Sequence, residues 1–136
     1  MADSQSPAVG SIEWTDLTVA NADQVRDFYR AVVGWEPSGL NMGGYEDYFM
    51  KAPATGQSVA GVCHARGVNA DLPPVWLIYV VVEDLDTSMA RCAAHGGSVI
   101  AGPKPWADQR RYCVIKDPAG AVAAIVEAAA RGPASA

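Results

Sequence analysis

The sequence of 136 residues lacks any excess of positive charge, because it has 10 Lys and Arg against 15 Asp and Glu. A surface for nucleic acid or for an anionic membrane needs clustered basic side chains, so we expect neither partner. No apolar run approaches the roughly 20 residues that span a bilayer. The opening residues, MADSQSPAVG, lack the basic and apolar blocks of a signal peptide. The sequence therefore predicts an intracellular, cytoplasmic protein.

The sequence also lacks a paired-cysteine framework. Its three cysteines are an odd number without CxxC spacing: Cys63, Cys92 and Cys113. Cys63 and Cys92 each lie in an apolar segment. Buried free thiols in a reducing compartment are therefore expected.

One pattern occurs twice in the chain, at a constant displacement. The displacement aligns Asn21 with Asp84, Gly34 with Gly97, and the tetrad at 59–62 with that at 122–125. Halves of about 55 residues would be marginal alone, so the repeat predicts one domain with a shared core. We expect module one at about 11–65, a linker at 66–73, module two at about 74–128, and disordered tails at 1–9 and 131–136.

Each module reads as β-α-β-β-β, which predicts an α+β fold. β-Branched and aromatic runs predict strands at 12–19, 36–42, 45–52 and 58–64, and again at 75–82, 98–102, 111–116 and 122–127. Helical spacing follows Asn21, which can cap a helix that Gly34 ends, with Val25, Phe28, Tyr29 and Val32 on one stripe. Asp84 can cap the second helix, at 85–95. Each helix should therefore cover one side of a sheet.

Several phrases together resemble the vicinal oxygen chelate superfamily, which includes glyoxalase I, extradiol dioxygenases, and bleomycin and fosfomycin resistance proteins. They are FYR-x-x-x-GW at 28–35, W-x-x-Y at 76–79, V-x-D-L-D at 82–86, GG at 96–97 and DP-x-G at 117–120. The resemblance runs from about Ser11 to Ala128, and W-T-D-L at 14–17 is similar to the small glyoxalase-like branch of actinobacterial proteins. It implies a single glyoxalase-like domain, in which two tandem βαβββ modules form an open, curled mixed β-sheet with the helices outside. The cup of that sheet would hold a ligand.

The resemblance also implies where metal ligands would stand, on the first and fourth strands of each module. Those positions carry Trp14, Leu77, Gly61 and Ala124. None of these side chains can bind a divalent cation, which needs imidazole, carboxylate, thiolate or carbonyl donors. We therefore expect no metal and no other cofactor.

A relocated metal site is the alternative. His64 and Glu127, which align with each other in the repeat, would join Asp16 if a one-residue bulge turned each of their strands. The plainer interpretation leaves His64 and Glu127 as solvated strand ends on the opposite face.

What remains is a cup with aromatic walls and sparse polar groups, as small-molecule sites have. The predicted ligand-binding residues are Trp14, Tyr48, Met50, Tyr79, Trp106 and Tyr112. Simple core packing is the alternative for each aromatic side chain. Asp16 is the predicted catalytic residue, since a carboxylate in mid-strand suits a general base beside a carbonyl; a salt bridge to Arg110 or Arg111 is its structural alternative.

The segment Pro103–Arg111, with two prolines, Trp106 and three basic residues, is predicted to be a lid over the cup, or else a surface crossing.

Three functions remain open. The first is a metal-independent protein that binds a small organic metabolite or antibiotic-like ligand, either sequestering it or transforming it by proton transfer. The second is a metal-dependent lyase or dioxygenase with a relocated site. The third is a non-catalytic interaction module whose cup is filled by its own aromatic side chains. The resemblance also implies a homodimer.

Overall fold

The computed structural model of the chain describes residues 7–129. Its two helices are α1 (Ala22–Val33) and α2 (Leu85–Ala94). Its eight strands are β1 (Ile12–Val19), β2 (Glu36–Asn41), β3 (Glu46–Lys51), β4 (Ser58–His64), β5 (Trp76–Val82), β6 (Ser98–Trp106), β7 (Arg110–Lys116) and β8 (Val122–Glu127). Each helix follows the first strand of a module, so the predicted α+β fold of two βαβββ modules is confirmed.

The strand pairing follows the internal repeat. The mixed sheet has the order β2-β3-β4-β1-β5-β8-β7-β6. β1 pairs parallel with β4 so that Asp16 lies opposite Gly61, and β5 pairs parallel with β8 so that Tyr79 lies opposite Ala124. The displacement that aligns the two copies of the sequence therefore carries both members of one pair onto the other pair.

The residues group into two compact units whose boundaries cut through β1 and β5. The α1 unit is Trp14–Leu77, and the α2 unit contains the residues up to Glu13 and those from Ile78 onward. In the α2 unit the amide N–H of Gly10 donates to the carbonyl of Val81 at 2.7 Å. The first residues of each module's first strand therefore belong to the unit that carries the other module's helix.

The N-terminal cap predicted for each helix is found in module two and not in module one. Asp84 caps α2, because its Oδ1 accepts from the Thr87 amide at 3.0 Å. Asn21 precedes α1 without capping it: its Nδ2 donates to Gln24 Oε1 at 2.9 Å, which corrects the predicted cap. Gly34 ends α1 in the left-handed conformation at φ 81°, as predicted.

Each helix packs on one face of its own module's strands. The α1 unit buries an apolar cluster of Ala22, Tyr48, Met50, Ala60 and Val62, with Val25 and Tyr29 of α1 packed against it. Phe28 and Val32, predicted on the same stripe, are instead 55% and 61% exposed. In the α2 unit the corresponding cluster is Leu85, Cys113 and Ile125.

The segment predicted as a lid is mostly strand. β6 continues to Trp106, and only a 3₁₀ turn at Ala107–Gln109 separates it from β7. Two register shifts, between Val99 and Ala101 and between Ala101 and Lys104, accommodate the segment with its prolines. β6 is the last strand in the sheet order, and an edge strand tolerates proline because one side of it needs no ladder hydrogen bonds.

All three cysteines are free thiols, as predicted. Cys113 is fully buried, whereas Cys63 and Cys92 are half-buried. Burial raises the pKa of the Cys113 thiol to about 11 and raises that of Cys63 further, so both remain protonated at neutral pH. Most of the predicted disordered tails, residues 1–6 and 131–136, lies outside the described residues.

Neither α1 nor α2, the two α-helices of the described chain, has the length and apolar character needed to cross a membrane.

Candidate functional site

Strand alternation assigns the candidate residues to the sheet face away from the helices. In β5, Val80 and Val82 pack against the cluster under α2, so Tyr79, which precedes Val80, points to the other face. Tyr79 is 3% exposed. A buried tyrosine there needs neighbours that supply apolar contact, and the end of β6 and the start of β7 supply them.

Three rings meet on this face of the α2 unit: Tyr79, Trp106 and Tyr112, hereafter the Tyr79 ring cluster. Trp106 stacks on Tyr79 with ring centroids 4.6 Å apart and planes inclined by 29°. Tyr112 lies 5.4 Å from Tyr79 and 5.1 Å from Trp106. Trp106 and Tyr112 are half-buried. The structure thus brings together three of the predicted ligand-binding residues, in the offset and edge geometries that aromatic rings favour.

A lysine ammonium lies beside these rings. Lys104 faces Tyr112 across the β6–β7 ladder, and its Nζ lies 4.8 Å from the centre of the Tyr112 ring. This distance is within the range of cation–π attraction. Lys104 therefore adds a positive charge to the Tyr79 ring cluster.

The ion pair of Glu13 with the buried Arg110 positions Trp106 in the Tyr79 ring cluster. Arg110 is 6% exposed; its Nη1 donates to Glu13 Oε2 at 2.9 Å, and its Nε donates to the Glu127 carbonyl at 2.8 Å. Trp106 Nε1 donates to the same Glu13 oxygen at 3.5 Å. Hydrogen bonds from Arg110 hold the pKa of the Glu13 carboxyl below its usual value, against the opposing effect of burial. Glu13 stays ionised and orients both neighbours.

The α1 unit presents a different set of side chains on its face away from α1. Trp14 and Phe49 meet edge to face with centroids 6.2 Å apart. Asp16, 8% exposed, lies opposite Gly61, whose missing side chain leaves room for its neighbours. A Cβ at Gly61 would lie 3.1 Å from Asp16 Cβ and 3.6 Å from Trp14 Cζ2. We call this set, Trp14, Asp16, Phe49 and Gly61, the Trp14 face.

Two predicted ligand-binding residues lie elsewhere. Tyr48 is 7% exposed and Met50 is fully buried in the cluster under α1, so both point away from the Trp14 face. The Tyr48 hydroxyl donates to Asp23 Oδ1 at 2.6 Å and accepts from Arg26 Nη1 at 2.9 Å. This placement corrects the predicted side of β3: alternation turns Phe49, between them, to the Trp14 face.

The residues of the alternative metal site have other neighbours. His64 Nε2 lies 3.5 Å from Asp23 Oδ1, and its Nδ1 lies 3.4 Å from Asp47 Oδ1. The Glu127 carboxylate pairs with Arg111 Nε at 3.2 Å, and Arg111 also reaches Asp86 at 3.2 Å. With side chains 16% and 23% exposed, His64 and Glu127 are paired side chains rather than solvated strand ends.

The four positions that the resemblance assigns to metal ligands do not fit a metal ion. Trp14, Gly61, Leu77 and Ala124 lie on β1, β4, β5 and β8 as expected, and none carries a donor for a divalent cation. Within residues 7–129, no group of three or more His, Cys, Asp and Glu side chains is arranged to hold a metal ion.

Phe49 and Glu13 are not among the site residues predicted from the sequence. Phe49 lies between two residues assigned to the site, and the pattern EDYFMK has large side chains on both faces, so alternation alone did not decide its side. Glu13 and Arg110 are far apart in the chain, and no local pattern reports their pairing.

Two curated proteins whose sequences are similar to this chain are longer than the chain. The anthracycline biosynthesis protein DnrV of Streptomyces peucetius is 32% identical over 127 residues, which is 93% of this chain and 45% of DnrV. CFP32 of Mycobacterium tuberculosis, a provisionally named glyoxylase, is 31% identical over 120 residues, which is 88% of this chain and 45% of CFP32. The chain thus spans about half the length of these curated relatives.

Solved structures share the fold. Methylmalonyl-CoA epimerase from Mycobacterium tuberculosis matches with a TM-score of 0.55 at 19% identity, covering 100% of both chains. A variant of the Streptomyces coelicolor epimerase matches with the same TM-score and identity over 90% of this chain and all of that one. A family model described as "Glyoxalase/Bleomycin resistance protein/Dioxygenase superfamily" matches residues 11–125. With that match, the repeat in register and the two βαβββ modules, the chain belongs to this superfamily.

Proposed function

We propose that this chain binds a small organic molecule with planar rings at the Tyr79 ring cluster. The observation that carries the proposal is the stack of Trp106 on Tyr79 at 4.6 Å, bordered by Tyr112, on a face that the module's helix does not cover. Half-buried rings combine a large contact area with little loss of side-chain entropy on binding. The name of DnrV, an anthracycline biosynthesis protein, supports a fused-ring ligand of the kind made in antibiotic pathways.

The binding test uses two neutral planar probes, 2-naphthamide and anthraquinone-2-carboxamide, titrated by calorimetry. Trp106→Leu should weaken binding about threefold to tenfold, because a stacking partner contributes about 0.5–1.5 kcal/mol. Phe28→Leu is the matched control, since Phe28 is a 55% exposed aromatic residue of α1. Saturable binding that Trp106→Leu leaves unchanged, or no saturable binding of either probe, would contradict the proposal.

We propose Asp16 as the group that makes the protein an enzyme of proton transfer rather than a sequestering protein. It is a buried carboxylate beside an indole ring, and such a carboxylate can accept a proton from carbon next to a carbonyl. The proton would pass from that carbon to an Asp16 oxygen and leave an enolate; the carboxyl proton would then exchange with water, and a proton, or a deuteron in deuterated water, would return to the same carbon. No external oxidant or reductant is needed.

Proton transfer is measured as exchange of the C1 hydrogens of 2-tetralone for deuterium in deuterated water. The wild-type protein should accelerate this exchange over buffer, and Asp16→Asn should abolish the acceleration. Asp71→Asn, at an exposed position between the modules, is the control and should leave the rate unchanged. Exchange that is equal in the wild type and in Asp16→Asn would remove Asp16 as the base and leave sequestration.

We also propose that the protein acts in the cytoplasm as a homodimer. Members of the superfamily often form dimers, and twofold dimers are the commonest oligomers of soluble proteins. Light scattering coupled to size-exclusion chromatography measures the mass directly. A mass of 14.3 kDa at micromolar concentration would contradict the dimer.

A further inference from the structure

The two arginines next to the Tyr79 ring cluster belong to ion pairs. Arg110 is held by Glu13 and by the Glu127 carbonyl, and Arg111 is held by Asp86 and the Glu127 carboxylate. Both guanidinium groups therefore have their charge balanced by carboxylates of the same unit. Two guanidinium groups thus face three carboxylates, so these ion pairs supply no excess of positive charge to the rings.

Lys104 places a charge directly against a ring. Its residue is half-buried, and its Nζ lies over the Tyr112 ring at 4.8 Å, on the edge strand that ends in Trp106. Cation–π attraction keeps the ammonium close to the aromatic surface. An ammonium carries three N–H bonds, so it can donate to more than one acceptor at a time.

We infer that Lys104 makes the Tyr79 ring cluster selective for planar ligands that carry an anionic group, such as an aromatic carboxylate. This inference rests on the proposed function, because it specifies the charge of the ligand bound at the same rings. The rings contact the planar part of the ligand, and the Lys104 ammonium donates to the anionic oxygen at its edge. A cationic ligand is disfavoured by repulsion from the same ammonium.

The test compares two probes that differ in charge and hardly in shape, 2-naphthoate and 2-naphthamide, by calorimetry at neutral pH. The wild-type protein should bind 2-naphthoate about tenfold more tightly, as expected for one charge-assisted contact at a half-buried site. High salt should reduce that ratio, because it screens the attraction between Lys104 and 2-naphthoate, and the neutral 2-naphthamide has no such attraction to lose. Lys104→Met should bring the ratio close to one, because it weakens the binding of 2-naphthoate far more than that of 2-naphthamide.

Two control variants and a check of folding accompany this test. Lys104→Arg keeps the positive charge and should keep most of the preference for 2-naphthoate. Lys116→Met removes an exposed lysine from the far end of β7 and should leave the ratio at its wild-type value. Circular dichroism and thermal melting check the folding of each variant, and Lys104→Gln takes the place of Lys104→Met in the comparison if that variant does not fold.

The possible failures are distinct. Wild-type protein that binds both naphthalene probes equally, or a ratio that survives in Lys104→Met, would overturn the role of Lys104 and leave the ring-binding function intact. Failure of both probes to bind would overturn the proposed function and this inference together.

Discussion

The two modules place different side chains at the same position of their first strands. Asp16 in β1 and Tyr79 in β5 align in the repeat, and each lies opposite a small residue of a parallel strand. The backbone pairing is the same in both copies because it depends on register. The chemistry differs, since one copy presents a buried carboxylate and the other a buried ring. The two modules thus share one backbone pairing, and the side chains that they present on it differ.

A second difference concerns residues 13 and 76, which also align. Glu13 belongs to the α2 unit, where it pairs with Arg110. Trp76 belongs to the α1 unit, where its Nε1 donates to the Tyr29 hydroxyl at 3.1 Å and its ring lies 5.8 Å from Trp35. An ion pair in one unit thus corresponds to an aromatic cluster in the other, and the pH dependence of stability should come from the first.

The largest expected loss of stability comes from replacing the first residue of α2, which is compared with the first residue of α1. Leu85 and the aligned Ala22 are both fully buried, but only Leu85 fills the space with a large side chain. Leu85→Ala should cost about 2–5 kcal/mol in the free energy of unfolding, because the lost methyl groups leave a cavity. Denaturant titration measures this loss.

Leu40→Ala is the control for that variant, because Leu40 is 42% exposed and should cost at most about 0.5 kcal/mol. Equal losses for Leu85→Ala and Leu40→Ala would mean that Leu85 does not pack as described.

The next effect tests the ion pair of the α2 unit. Glu13→Gln should lower the free energy of unfolding by about 1–3 kcal/mol at neutral pH, because it leaves the buried Arg110 without its carboxylate. Since the pKa of Glu13 is lowered in the folded protein, the stabilisation is present above the usual glutamate pKa. It is lost as the pH falls through the lowered, folded-state value.

The stabilities of the wild type and Glu13→Gln should therefore converge in acid, as followed by denaturant titration at several pH values. Glu36→Gln, at an exposed position of β2, should run parallel to the wild type throughout. A constant gap between the wild type and Glu13→Gln at all pH values would contradict the assignment of the pH dependence to Glu13.

A smaller effect is expected where the modules differ by one methyl group. Gly61→Ala would make module one like module two, where Ala124 stands, but the new Cβ would lie 3.1 Å from Asp16 Cβ. Overpacking of this kind should cost about 1 kcal/mol in the free energy of unfolding. The reverse change, Ala124→Gly, should cost a similar amount through backbone entropy. A neutral or stabilising Gly61→Ala would show that the Trp14 face has room for a side chain.

The smallest expected effect on stability distinguishes the capped N-terminus of α2 from the uncapped N-terminus of α1. Asp84→Ala should lower the melting temperature of the protein, because it removes the hydrogen bond to the Thr87 amide. Asn21→Ala should lower the melting temperature less, since Asn21 makes no such bond. Equal decreases in the two variants, measured by calorimetry, would contradict the difference in capping.

By itself the sequence determined the repeat and the order of helices and strands. These features depend on local propensity and on a displacement that can be read directly, and the cap that Asp84 supplies to α2 is local as well. The residues at the positions that the resemblance assigns to metal ligands are also read from the sequence.

Only the tertiary structure decided which face of β3 each side chain occupies, and so it placed Tyr48 and Met50 under α1 and Phe49 beside Trp14. It also showed that the segment predicted as a lid is mostly the end of the edge strand β6. Finally, it showed that Glu13 pairs with Arg110, which lies 97 residues away in the chain. The physical reason is common to all three. The face on which a side chain lies, the position of a bulge and the partner of a long-range ion pair all depend on which segments pack against a strand. A local sequence pattern does not identify those segments.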